Sequence, residues 1–433
     1  MKRVLAVLVA GLFAGGAAAA DLMQVYQDAV ANDAKFAAAR AQYEAGQEKV
    51  VQGRAGLLPQ IGASANTTWN ETDAKPAPPG GSSDYNSNGY GVQLTQPLFD
   101  WQSWVQYKQG ELQTALAETQ FGLARQDLVL RVAEAYFNVL NAQDALAAVT
   151  QLRTAAAEQL ELAKTSFEVG TVTITDVHEA QSRFDLASAQ EIAAQNQLEV
   201  ARQSLAQIIG TEPEPLAGLR EGVALQRPQP ENIAEWVTAA ESGSFGVQAQ
   251  QLAREIAARE VERARAGHLP TVDIVASHGV NHRPQDTFDR SEATTIGLQL
   301  NVPLFAGGRV SSVSREAAAL RMKADADLED ARRAAALQAR QSWLGVTSGM
   351  AQVKALEAAR VSSLSALEAN KLGYEVGVRI NIDVLNAQTQ LADTLQQLSR
   401  ARYDTLLSQL RLKAAAGTLG EEDVQAINAL LTP

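Results

Sequence analysis

The chain is written twice. Arg54-Ala55-Gly56-Leu57-Leu58-Pro59 returns as Arg265-Ala266-Gly267-His268-Leu269-Pro270, and Pro97-Leu98-Phe99 returns as Pro303-Leu304-Phe305. Glu168-Val169-Gly170 returns as Glu375-Val376-Gly377, Asp176-Val177 as Asp383-Val384, and Ala180-Gln181 as Ala387-Gln388. Each second copy stands about 207 residues after the first, in the same order. One match of this kind arises by chance. Five in order mark a duplicated unit, so whatever one half folds into, the other folds into as well. Pro213, Pro215, Pro228 and Pro230 punctuate the join. The repeats are read as 21–210 and 232–417, with a linker at 211–231 and a C-terminal segment at 418–433.

Each half reads as helix, two strands, long helix, turn, helix. Helices are expected over roughly 22–57, 102–168 and 173–210, then 232–267, 308–375 and 380–416, because Ala, Leu, Gln, Glu and Arg dominate there. Leu128, Val132, Ala135 and Val139 step by three and four, as do Leu391, Leu395 and Leu398. That spacing is a coiled-coil seam, and the abundant alanine points to close helix packing.

Four short stretches change period. Tyr90, Val92, Leu94 and Leu98 alternate with Gly89, Gly91, Gln93 and Thr95, and Ile296, Leu298, Leu300 and Val302 alternate with Thr295, Gly297, Gln299 and Asn301. Val272, Ile274 and Ala276 alternate with Thr271, Asp273 and Ser277, although Val275 breaks the pattern; Ile61, Ala63, Ala65 and Trp69 form a weaker version. Between the members of each pair lies a polar loop, one carrying Lys75-Pro76-Ala77-Pro78-Pro79-Gly80-Gly81 and the other Asn281-His282-Arg283-Pro284. One apolar and one polar face describe a half-buried strand, and equally a barrel strand with lipid outside and water inside. Trp69, Tyr90, Phe99, Trp101, Trp104 and Phe305 stand where an aromatic girdle would lie. The pattern alone leaves open a small two-hairpin sheet packed on a helical bundle.

The start of the chain argues for export. Lys2 and Arg3 precede the apolar run Val4 to Phe13, and Ala18-Ala19-Ala20 offers a small-residue cleavage site before Asp21. Residues 1–20 read as a secretory signal peptide. No later stretch matches a transmembrane helix, so a membrane location would require a β-barrel. Two hairpins give four strands, too few to close a barrel when the smallest have about eight. A barrel must then be shared between copies. The helix at 102–168 would run about 100 Å at 1.5 Å per residue, and the two shorter helices of its half, laid end to end, match it. The turn at 169–172 would therefore lie about 100 Å from the membrane, with the linker and the C-terminal segment gathering midway.

With that outline in place, the mature start Leu22-Met23-Gln24-Val25-Tyr26-Gln27 resembles the TolC family of outer-membrane channel proteins. So do Leu57-Leu58-Pro59-Gln60, Leu94-Thr95-Gln96, the run Ala135 to Ala142, and the paired turns FEVGTVTITDV and YEVGVRINIDV. The likeness covers the whole mature chain. It implies a fold that is mainly α with membrane β: a homotrimer with a shared twelve-stranded barrel in the outer membrane lipid of a Gram-negative bacterium, above a periplasmic helical tunnel. It implies an exit duct for efflux or type I secretion, docked to an inner-membrane transporter through a periplasmic adaptor (membrane fusion) protein. By motif match, Val169, Gly170, Thr171, Val376, Gly377 and Val378 resemble adaptor-docking tip turns. Thr175 and Asp176 resemble the acceptors of a closing latch whose donors are Tyr374 and Arg379. Phe167 stands in the first repeat where Tyr374 stands in the second, so only the second can link through a hydroxyl. Asp383 resembles a member of an acidic constriction ring. Asn386 stands where a second aspartate is often found, which weakens that ring.

Other functions find no residues. GxSxG, the P-loop, HExxH and a GxGxxG after a strand are all missing. There is no cysteine for a disulfide, thiolate metal site or nucleophile, and the four histidines are scattered, with His278 and His282 around a strand end and loop. No cofactor or metal is expected, and the protein is read as no enzyme. A formal net charge of −12 argues against nucleic acid, which needs a basic face. The alternatives are a secreted or periplasmic structural coiled-coil assembly without channel activity, and a periplasmic carrier-type binding protein.

Overall fold

The structure is a computed structural model that describes residues 19–72, 83–220, 222–284 and 289–432. The export signal, up to residue 18, and the loop stretch 75–81 lie outside the described residues. The first repeat folds as α1 (Leu22–Asn32), α2 (Ala34–Ala55), β1 (Gln60–Thr72), β2 (Ser83–Phe99), α3 (Trp101–Glu168) and α4 (Ile174–Ile209). The second folds as α5 (Ile233–Gly243), α6 (Phe245–Ala266), β3 (Thr271–His282), β4 (Arg290–Asn301), α7 (Arg309–Glu375) and α8 (Asn381–Ala415), followed by α9 (Glu421–Asn428).

The helices expected over 22–57 and 232–267 are each broken once. Asp33 adopts an extended conformation (φ −66°, ψ 117°): its N–H closes α1 on the Ala29 carbonyl, and its carboxylate caps α2 by accepting from the Phe36 N–H at 2.6 Å. Ser244 (φ −63°, ψ 137°) ends α5 in the same way. The two breaks occupy matching places in the two repeats. The signal was available as a capping residue set inside a helical run.

The chain forms two compact units. The first comprises residues up to Ala38, Leu123–Ser244 and Ala334–Pro433. Its core holds Tyr136 and Phe137 from α3 and Leu406, Leu410 and Leu412 from α8. The Phe137 and Tyr403 rings stack with centroids 5.5 Å apart, and the Tyr403 hydroxyl donates to Asp144 at 2.9 Å. Tyr136 donates to the Ala217 carbonyl at 2.7 Å, where Leu216 of the linker bridges to Ala20, the residue before the expected mature start. Burial pushes both phenols well above their ordinary pKa, so they act as fixed donors. The C-terminal segment 418–433, to which the sequence pattern assigns no element, carries a short helix. Gly420, the acidic first turn Glu421-Glu422-Asp423 and the Lys413–Asp423 ion pair set up α9, and Asn428 at its end donates to Asp21 at 2.8 Å.

The second unit, Ala39–Gly122 and Phe245–Arg333, carries the sheet. In it α2 and α3 approach so closely that a Cβ at Gly110 would stand 2.5 Å from the Lys49 carbonyl oxygen, which is why that position has no side chain. The strands run in the order β1-β2-β3-β4, all antiparallel. Register separates two faces. One row is Ile61, Leu94, Ala276 and Ile296; the next is Ala63, Val92, His278 and Thr294; and Ile274 with Leu298 and Val272 with Leu300 continue on the other side. The opposite face reads Gly62, Gln93, Ser277 and Thr295, then Ser64, Gly91, Gly279 and Ala293. Val275, which broke the alternation, falls on this polar and small face between Thr95 and Gly297. Tyr90 sits within β2 opposite Ala65 and Val280 rather than at a strand end. Both histidines belong to β3, His278 bonding Thr294 at 2.9 Å and His282 pairing with Arg290.

Candidate functional site

The tip-turn, latch and constriction residues singled out from sequence all fall in the first unit, at and just beyond the two helix-to-helix turns. Each turn is a Schellman closure. Gly170 (φ 77°) bonds back to the Phe167 carbonyl at 2.9 Å, and Thr171 to that of Ser166 at 2.9 Å. Gly377 (φ 78°) bonds to Tyr374 at 3.1 Å, and Val378 to Gly373 at 2.8 Å. A left-handed residue is obligatory there, and glycine supplies it without steric cost. The valines around these glycines point outward: Val169 is 71% exposed, Val376 64% and Val378 75%.

Beyond the first turn, Thr173 and Asp176 form a reciprocal capping box at the start of α4. The Asp176 carboxylate accepts from the Thr173 N–H at 2.8 Å and the Thr173 hydroxyl at 2.7 Å. The hydroxyl bond, then the backbone bond, hold the carboxyl below its ordinary pKa. Leu160, Ala163 and Ala180 pack together behind it and fix the α3–α4 pair near the turn.

The second turn is capped differently. Ile380 occupies the N-cap position of α8 and has no side-chain acceptor, so only half of the box exists: Asp383 accepts from the Ile380 N–H at 3.4 Å. Asp383 also lies 3.7 Å from Arg379. Tyr374 is half-buried and Thr175 exposed.

Asp176, Tyr374 and Arg379 line one open cleft of about 830 Å³ between the two hairpins, together with Lys371 and Asn381. Thr175 is not on that lining. Asp176 and Arg379 have no ion pair with each other within the chain; each is engaged on its own helix. Sequence reading missed two features here. Asn381, only 5% exposed, and Gln159 present buried side-chain oxygens with no hydrogen-bond partner at the cleft. Arg183 of α4 donates to the Asn386 side-chain oxygen of α8 at 3.1 Å, a link across the hairpins that no local sequence pattern announces.

Comparison with known proteins identifies the relatives. The model of the family described as outer membrane efflux protein matches residues 25–211 and again 236–418. The chain is 34% identical over 437 residues to the outer membrane protein TolC of Vibrio cholerae, covering 99% of this chain and 98% of that protein. It is 33% identical over 416 residues to the alkaline protease secretion protein AprF of Pseudomonas aeruginosa, covering 94% and 86%. Among solved structures, the outer membrane protein VceC of Vibrio cholerae superposes with a TM-score of 0.78 at 20% identity, over 92% of this chain and 96% of that one.

Proposed function

The chain belongs to the outer membrane efflux protein family, and from that premise we propose that three copies build one exit duct, closed at the turns of its helical hairpins and opened there by a docked partner. The protein is an outer-membrane channel and not an enzyme. The observation that carries the proposal is the sheet. Its strands separate an apolar face from a polar one, and β1 and β4, paired on their inner edges with β2 and β3, have no partner on their outer edges among the described residues. Unpaired backbone cannot face lipid, so β1 of one copy must pair with β4 of the next until the ring closes. Four strands per copy in a threefold ring give twelve. The work of the duct is export, either efflux or type I secretion; relatives named for protease secretion favour neither cargo over the other, because a transporter below the duct selects it.

Within that assembly the repeats 21–210 and 232–417 act as two hairpins per copy, joined by the linker 211–231 and braced by 418–433. The turns Val169-Gly170-Thr171 and Val376-Gly377-Val378 meet a periplasmic adaptor, which in turn joins an inner-membrane transporter. Exposed valines on a rigidly closed turn support that role, since they offer apolar surface at low ordering cost. Thr175, Asp176, Tyr374 and Arg379 form the latch between hairpins of adjacent copies, and Asp383 with Asn386 lines the constriction. The unpaired oxygens of Gln159 and Asn381 support a cleft completed by a neighbour. A buried acceptor without a donor costs about 1–3 kcal/mol, which docking or closure relieves.

The test is single-channel conductance in planar bilayers. Tyr374→Phe combined with Arg379→Ser removes the hydroxyl donor and the guanidinium, and conductance is expected to rise severalfold. Conductance equal to that of the unmodified protein refutes the latch.

A further inference from the structure

We propose that Arg183 sets the charge selectivity of the constriction, placing a guanidinium where a ring of carboxylates would otherwise act alone. The inference rests on the reading of Asp383 and Asn386 as constriction residues and adds a third member from the other hairpin. The Arg183 guanidinium donates to the Asn386 side-chain oxygen at 3.1 Å, bridging α4 and α8. Asn386 is exposed, so the charge stands at a wetted surface and not inside a core. Arg183 also lines a small void of about 40 Å³ with Ala187 of its own helix and with Leu385 and Thr389 of α8.

One turn away, Asp383 lies 3.7 Å from Arg379. Positions 383 and 386 therefore gather one carboxylate and two guanidinium groups per copy; with Arg379 engaged by Asp176 in the latch, Arg183 is the guanidinium left to offset Asp383, and threefold repetition multiplies the offset. Arginine does not lose its proton in a protein, so the charge of Arg183 holds at every pH the fold survives. Rings of arginine or lysine favour anions in pores, and rings of aspartate favour cations. Here the guanidinium offsets what Asp383 contributes. A multivalent cation finds no strong site at the passage, and anionic cargo groups such as carboxylates and phosphates meet less repulsion than an acidic ring would impose.

The experiment uses the full chain as its assembled channel in planar bilayers. It reads reversal potential in a potassium chloride gradient and the half-blocking concentration of lanthanum(III). Arg183→Gln is expected to shift selectivity toward cations and to lower the half-blocking concentration roughly tenfold. Arg183→Lys, which keeps the charge, is expected to match the unmodified channel. Asn386→Asp alone is expected to change block by less than about threefold, because Arg183 pairs with the new carboxylate, whereas Asn386→Asp with Arg183→Gln lowers the half-blocking concentration by more than about tenfold. Block by Asn386→Asp as strong as by the double variant overturns the proposal, as does Arg183→Gln with both readouts unmoved. Asp383→Asn separates the two levels. If it moves the readouts while Arg183→Gln does not, only the role of Arg183 falls; if neither moves them, the constriction reading falls with it.

Discussion

Arginine at Ile296 and arginine at Thr295 put the same charge one residue apart on opposite faces of β4. Ile296 lies in the row Ile61, Leu94, Ala276, Ile296, with Leu298 and Leu300 continuing the apolar band beside Ile274 and Val272. It is 79% exposed in the single chain, so Ile296→Arg removes almost no packing within the copy. What it meets is lipid near the middle of the apolar band. A charged side chain there costs about 2–4 kcal/mol per barrel substitution, at least roughly a 30-fold loss in the ratio of inserted to uninserted protein for each copy. Thr295 faces Ser277, Gln93 and Gly62 on the polar side, and Thr295→Arg loses only the Ser277–Thr295 hydroxyl contact of 2.7 Å, worth about 0.5–1.5 kcal/mol. The assay is recovery of detergent-resistant oligomer from the outer-membrane fraction after equal expression. Thr295→Arg is expected near the unmodified level and Ile296→Arg strongly depleted. Equal recovery of the two, or depletion of Thr295→Arg alone, refutes the assignment of lipid and water to these faces.

Two further outcomes concern the first unit. Asp33→Ala removes the cap on α2 and the partner of Arg131, whose guanidinium donates to the carboxylate at 2.8 and 3.0 Å; Arg131 keeps 22% side-chain exposure, so water offsets part of the loss, and about 2–4 kcal/mol is expected. Protease cleavage at the α1–α2 junction reports it, and cleavage unchanged from the unmodified protein contradicts the account. Asp33 and Asp176 are both held below the ordinary carboxylate pKa, by the Arg131 and Thr173 side-chain bonds respectively. A depressed folded pKa means that their stabilisation is complete above the unfolded value near ~3.9 and is lost as pH falls through the lower folded value. Thermal stability should therefore hold from neutrality to about pH 5 and decline below about pH 4, with the decline reduced in Asp33→Asn. A decline beginning near pH 6.5 would assign it to histidine instead.

Much of the architecture is written in periodicity and repetition. The long helices are visible because 67 or 68 residues of strong helix formers run without proline. The strands show because alternation at period two survives even in short stretches. What stayed hidden has a common physical cause. Asp33 and Ser244 break helices through a single backbone torsion, and one capping residue in a long helical run is a weak local signal. α9 is eight residues long and is held by Lys413, ten residues before Asp423, and by Asp21, which is 407 residues from Asn428. The tip turns were legible because glycine must stand at a left-handed position. Arg183 was not, because its partner lies 203 residues away on the other hairpin and nothing in either segment refers to the other.

The duplication also explains why the two tips differ in what they offer a neighbour. Their backbones close alike, with a left-handed glycine and the same pair of return bonds, to which the second adds one from the Arg379 N–H to the Gly373 carbonyl at 3.1 Å. Their side chains do not. In the first repeat Thr173 and Asp176 satisfy each other, and Phe167 carries no polar atom on its side chain. In the second, Ile380 cannot cap, Asp383 reaches its backbone partner only at 3.4 Å and Arg379 only at 3.7 Å, and Tyr374 brings a hydroxyl. Contacts at those distances between exposed groups are worth about 0–1 kcal/mol and are readily exchanged. Divergence after duplication has thus left one hairpin with its polar groups used internally and the other with donors held loosely. A reversible closure needs that pairing: one side must present a fixed acceptor, and the other must lose little when it lets go.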